Sequence, residues 1–185
     1  HEASLKLAKA NFYKKDFDWT LQQVKVLKQS PSLLIANDAI EMFLLIQDNS
    51  AEDSLRVALQ SYATADLKLY QNKKEEALQL FLAILQKHKG ESIEEGTLFK
   101  VGKIYEEKGD FNKALTYYQN ILDNHKDGIY KDEALYFSAE IYRKHLLDNE
   151  KAKALYEKVV LEHPDSLYYT ESRKQYRTLR GDSTI

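Results

Sequence analysis

Between residues 98 and 122 the apolar positions fall into two runs with helical spacing: Leu98, Val101, Ile104 and Tyr105, then Leu115, Tyr118, Ile121 and Leu122. The polar stretch "EKGDFNKA" separates them. Gly109 can take the left-handed backbone that closes a helix, and Asp110 can cap the next by accepting from a free backbone N–H. The pattern predicts two helices joined by a tight turn.

The hairpin recurs along the chain. Gly102 precedes Ala114 by twelve residues, as Ala65 precedes Ala77, while Ala139 precedes Ala152 by thirteen. Each second-helix alanine is followed at the same spacing by an aromatic and a branched aliphatic residue: Phe81 and Ile84, Tyr118 and Ile121, Tyr156 and Val159. Asn72 stands where Gly109 stands, and asparagine is the next-best residue for a left-handed turn. The extra residue of the third copy, near Asn149, is expected in its turn. Small residues at 65, 102 and 139 let paired helices approach closely, with Tyr105, Tyr118, Tyr142 and Tyr156 filling the space around them.

The stretch "LFKVGKIYEEKGDFNKALTYYQNILDNHK" resembles the tetratricopeptide repeat family in its small residue, its following tyrosine, its Gly-Asp-Phe turn, and the alanine and aromatic of its second helix. The resemblance covers residues 55–164 and, through Ala8, Phe17 and Pro31, extends to the first hairpin. It implies an all-α, right-handed α-α superhelix of about ten helices. On this reading residues 1–180 form one solenoid: a degenerate hairpin at 1–31, an extra helix at 32–49, repeats at 50–91, 92–128 and 129–164, and a capping helix at 165–180. A loose tail, 181–185, follows. The extra helix has no partner in the repeat scheme. The period of 37 or 38 residues exceeds the usual value of about 34. Lengthened repeats of this kind, with "HPDSLYYTES" after the last second helix, are similar to those of bacterial envelope proteins such as outer-membrane assembly lipoproteins and periplasmic coordinators of cell-wall synthesis. That similarity implies the periplasm or the periplasmic face of the outer membrane, with the cytoplasm left open.

Composition narrows the function classes. The chain has no cysteine, so disulfides, thiol nucleophiles and thiolate zinc sites are excluded. Its 27 basic and 29 acidic residues are interspersed, which argues against a nucleic-acid stripe. The longest apolar run, Met42 to Ile46, is too short to span a bilayer. The chain begins at His1 rather than Met, which suggests a fragment or a mature product.

Candidate chemistry is sparse. His88, His125 and His163 recur at intervals of 37 and 38 residues. A shared metal would need their nitrogens within about 3.5 Å of one another, whereas equivalent points on stacked units lie at least about 8–10 Å apart. They are expected at the ends of second helices, packing against the next unit, while His145 is expected to face solvent. The adjacent pairs Glu75–Glu76, Glu94–Glu95 and Glu106–Glu107 point away from one another on a helix and cannot flank one substrate. No phosphate loop, H-E-x-x-H or nucleophile elbow occurs. A non-catalytic protein without cofactor or metal is the expectation.

The resemblance then assigns a binding wall. It places Tyr62, Phe99 and Tyr136, each three residues ahead of a small residue, on the concave face. Asp66, Lys103 and Glu140 follow, and then Leu69, Glu106 and Arg143. Such a wall suits an extended or helical peptide held by Tyr62, Asp66, Phe99, Lys103, Tyr136, Glu140 and Arg143. The alternative is that these aromatics pack within the solenoid. The clamp with which some family members hold a terminal carboxylate uses lysine, asparagine and arginine on this wall, where this chain carries Tyr62, Asp66, Phe99, Tyr136 and Glu140, so that clamp is expected to be absent. Around Tyr169, Tyr176 and Leu179, the cations Arg173, Lys174, Arg177 and Arg180 read either as the polar back of a capping helix or as a basic patch for acidic groups. The implied role is a scaffold for a protein or peptide partner; a structural spacer or self-association module is the alternative.

Overall fold

A computed structural model describes residues 1–51 and 55–182. Residues 52–54, within the first expected repeat, and 183–185, in the expected tail, lie outside it. Among the described residues the fold is all-helical, with ten α-helices packed sequentially as in a tetratricopeptide-like solenoid. The chain divides into two compact units, residues 1–97 and 98–185, where repeat arithmetic anticipates one. The division falls inside α6.

The first unit holds α1 (Glu2–Tyr13), α2 (Phe17–Leu27), α3 (Leu33–Asp48), α4 (Val57–Tyr70), α5 (Lys74–Lys87) and the start of α6 (Ile93–Glu107). The extra helix is not without a partner. It packs on α2 and α1 around Leu5, Ala8, Val24, Leu27 and Ala39, with Ile35, Met42 and Phe43 closing that core. Lys9 bridges to Asp38 at 3.0 Å, and the Lys28 ammonium lies 3.6 Å from the centre of the Phe43 ring. This packing leaves α1 free to meet α4, where Phe12 and Tyr62 meet edge to face at 6.4 Å.

The second unit holds the rest of α6, α7 (Phe111–Asn124), α8 (Lys131–Ile141), α9 (Asn149–Glu162) and α10 (Tyr169–Arg180). Gly102 brings α6 onto α7: a Cβ there would lie 2.5 Å from the Tyr118 ring. One turn design serves the hairpins of both units. Lys15, Asn72, Gly109 and Leu147 all have positive φ, from 54° to 79°. Beyond the first three, the N–H groups of Asp16, Lys73 and Asp110 donate to the carbonyls of Asn11, Lys68 and Tyr105 at 2.9–3.0 Å, which satisfies helix-end carbonyls. Asp16, Asp110 and Asp148 then cap the following helices, accepting from Trp19, Lys113 and Lys151.

The inserted residue of the third copy is not in the turn. It is absorbed in the helix, as a π-helical segment at Tyr142–Leu146, so that the Asp148 N–H reaches Tyr142 rather than the next carbonyl along. Widening the last turn keeps both the left-handed residue and the capping aspartate in place. It does so with leucine in a backbone that favours glycine, and Leu147 is 76% exposed. Leu147→Gly is therefore expected to raise stability by about 0.5–1 kcal/mol, because relief of the left-handed strain exceeds the added chain entropy. Gly109→Leu at the equivalent site should lower it by a similar amount. Urea denaturation of the two variants checks the opposite signs.

At the C-terminal end, Gly181 and Asp182 are not loose: Gly181 closes α10 and Asp182 accepts from Arg180 Nε at 2.9 Å.

Candidate functional site

Of the expected wall residues, Tyr62 is enclosed. It is 2% exposed, with Phe12 on one side and Phe81 at 5.4 Å on the other. The α1 hairpin and α5 close over it, so it is a core aromatic and not part of an open wall. Asp66 accepts a hydrogen bond from the Tyr13 hydroxyl of α1 at 3.2 Å.

Phe99 and Tyr136 are half-buried, and each is covered by the tyrosine that leads into the following unit. Phe99 stacks on Tyr130 at 4.9 Å and Tyr136 on Tyr168 at 4.4 Å. Burial, reinforced by the Glu140 and Glu171 charges, pushes the Tyr136 phenol up to about 12. The aromatic series therefore binds successive hairpins together and presents edges rather than open faces.

The charged residues are organised by the second-helix tyrosines. In the α6–α7 hairpin the buried Tyr118 hydroxyl donates to Glu106 at 2.6 Å, and Lys103 pairs with that carboxylate at 3.4 Å. The Lys103 ammonium also sits 3.6 Å from the centre of the Phe137 ring. In the α8–α9 hairpin the polarity is reversed. Glu140 holds the place of Lys103 and Arg143 that of Glu106. Arg143 Nε donates to the Tyr156 hydroxyl at 3.0 Å, Tyr156 donates to Glu140, and Arg143 and Lys144 both pair with Glu140. The α4–α5 hairpin has Phe81 in place of tyrosine and Leu69 in place of the second charge. A buried phenol needs an acceptor, and the α6–α7 and α8–α9 hairpins each supply a carboxylate to their second-helix tyrosine.

The titration shifts follow from these contacts. Burial, then the neighbouring Glu106 charge and hydrogen bond, drives the Tyr118 phenol far above its ordinary range. Burial and the bond to Glu140 do the same for Tyr156. For Glu140, only 7% exposed, burial alone would raise the carboxyl. The hydrogen bonds from Lys144, Tyr156 and Arg143 outweigh it and hold the group below 4.5. The structural role of the Tyr118 and Tyr156 hydroxyls is invisible in periodicity, although the contrast of Phe81 with Tyr118 and Tyr156 is its trace.

His88, His125 and His163 stand at the C-caps of α5, α7 and α9, donating their backbone N–H groups to Ile84, Ile121 and Val159. His88 Nδ1 also meets Glu91 at 2.9 Å. Among the described residues no three His, Cys, Asp or Glu side chains converge as metal ligands. His145 does not simply face water: its ring lies flat on Phe111 at 3.9 Å. A groove of about 530 Å³ between α7, α8 and α9 is lined by Leu115, Gln119, Leu122, Ser138, Tyr142 and Leu155. The Gln119 amide is already bonded to Asp123.

Paired helices with small contact residues, shared turns and a period near 37 define a helical-repeat protein. Residues 97–128 and 133–166 each match the tetratricopeptide repeat family model. The matched segments are the two hairpins that contain the tyrosine–carboxylate pairs. Repeats of this family are generally protein-interaction modules and typically non-catalytic. Among curated proteins none matches the chain. No helix among the described residues is long and apolar enough to cross a membrane.

Proposed function

We propose that the chain is a non-catalytic scaffold that binds a peptide or protein segment along the first-helix face of its repeats. The contacts would come from Lys103, Glu106 and Arg143 and from the exposed edges of Phe99 and Tyr136. The observation that carries this reading is the reversal of charge between neighbouring repeats, Lys103–Glu106 and then Glu140–Arg143, with each pair locked to a buried tyrosine. Side chains already immobilised lose little entropy on binding, and fixed charges of alternating sign select a partner of the complementary order. Glu140 supports the wall from within, paired with Arg143 and bonded by Tyr156. An envelope location is part of the same proposal and rests on the lengthened repeat.

Panning a displayed peptide library against the whole chain tests the proposal. The enriched segments are expected to carry a carboxylate that meets Lys103, and to bind Lys103→Glu about tenfold more weakly. Lys103 is the variant of choice because the Tyr118 bond to Glu106 does not depend on it. Enrichment of no class, or equal retention by the variant, would overturn the reading. A stable dimer in sedimentation, with no enriched peptide, would assign the face to self-association instead.

A further inference from the structure

We infer that Phe137, which the repeat register passes over in favour of Tyr136, is a specificity residue of the proposed wall. It takes an apolar side chain of the partner segment once the adjoining side-chain carboxylate of that segment draws Lys103 off its ring. The inference rests on the first-helix face being the binding face, and it adds the chemistry of what binds there: a carboxylate with a leucine-like neighbour.

Phe137 lies at the centre of the aromatic floor shared by α6 and α8. The rings of Phe99, Tyr118, Tyr136 and Tyr168 pack around it, with centroids at 6.0, 6.4, 5.3 and 5.4 Å, which fixes its position. It is nevertheless only half-buried. What covers a face of the ring is not another apolar group but the Lys103 ammonium, 3.6 Å from the ring centre. A cation over a partly exposed ring is a weak contact beside the burial of an apolar side chain at the same place, so this cover is exchangeable.

Lys103 is also loosely held. Its ion pair with Glu106 spans 3.4 Å, whereas a well-formed charge-assisted bond measures about 2.7–2.9 Å. The Glu106 oxygen that it meets already accepts the Tyr118 hydroxyl at 2.6 Å. Among the described residues Lys103 makes no further hydrogen bond or ion pair. In α8 the same register holds Glu140, which is buried and fixed by Arg143, Lys144 and Tyr156, so no comparable cover can move there. A partner carboxylate therefore engages Lys103 without disturbing the Tyr118 bond, and moving the ammonium toward it opens the Phe137 face. Charge and apolar surface then act on neighbouring residues of one segment.

The probes are acetyl-Glu-Leu-amide, acetyl-Gln-Leu-amide and acetyl-Glu-Gly-amide, titrated at millimolar concentration into the whole chain and followed by NMR. The first is expected to shift the Phe137 ring protons and to bind about tenfold more tightly than either comparator. Lys103→Met keeps the aliphatic stem, and the Tyr118–Glu106 bond does not depend on the ammonium, so the thermal melt should not move. In that variant the glutamate and glutamine probes are expected to bind equally, with leucine still preferred over glycine. Equal binding of the leucine and glycine probes by the wild type would overturn the inference. So would binding that leaves Phe137 unshifted, or binding by none of the three. Library segments that depend on Lys103 yet tolerate glycine beside their carboxylate would overturn it too while leaving the wider wall in place; failure of the wall itself is the separate result that no segment is enriched.

Discussion

Gly102→Leu is expected to lower the stability of the 98–185 unit by about 2 kcal/mol, read as an earlier urea midpoint. A Cβ at this position would sit 2.5 Å from the Tyr118 ring, and that ring has nowhere to go. Tyr118 has no exposed surface, and its hydroxyl is held by Glu106. Leucine restores about 0.8 kcal/mol of helix propensity, less than the penalty of overpacking a closed site. Gly102→Ala isolates the geometric part, since the α8–α9 hairpin already accommodates alanine, Ala139, near its own buried tyrosine. It should cost less than leucine, and Tyr118→Leu placed beside Gly102→Leu should recover part of the loss. An unchanged midpoint for Gly102→Leu would mean that α6 and α7 are not held at this separation.

That close approach is one of the features written plainly in the letters. A small residue, a left-handed turn residue and a second-helix aromatic repeat at fixed spacing, so α4 through α9 follow from local rules. The enclosure of Tyr62 does not follow from them. It depends on α1 packing on α4 while α3 packs mainly on α2, and no period announces that arrangement. Phe99 and Tyr136 have the same register as Tyr62, yet their covers, Tyr130 and Tyr168, lie in the links between repeats, where side-chain position depends on tertiary packing. The π turn was illegible for a different reason. One inserted residue can widen a helix end or lengthen a loop, and Leu147 has no intrinsic liking for the left-handed backbone that would betray the choice. Charge reversal between Lys103–Glu106 and Glu140–Arg143 is visible as letters, but its reason, the buried hydroxyls of Tyr118 and Tyr156, becomes apparent only when the two helices are set face to face.

Tyr156→Ala should be the most damaging single change in the α8–α9 hairpin, costing about 4 kcal/mol. The ring is fully buried against Ala139 and Ala152, so truncation leaves a cavity that the surrounding helices can fill only in part. It also strips Glu140 of a donor and Arg143 of an acceptor. Tyr156→Phe separates the two contributions: it keeps the ring, loses the hydroxyl, and should cost about 1–2 kcal/mol. Acid titration of stability then distinguishes a lost hydrogen bond from a repacked ring. The Glu140 carboxyl is held below 4.5 in the fold, so its contribution is complete above that pH and is lost as pH falls through the lower folded value. Removing the Tyr156 hydroxyl leaves only Lys144 and Arg143 to hold the carboxylate, which brings its folded pKa closer to the unfolded one. The stability of Tyr156→Phe should therefore fall less steeply below pH 4.5 than that of the wild type. Parallel acid limbs in the two proteins would mean that the tyrosine hydroxyl does not stabilise the Glu140 charge, and that the α8–α9 hairpin rests on ring packing alone.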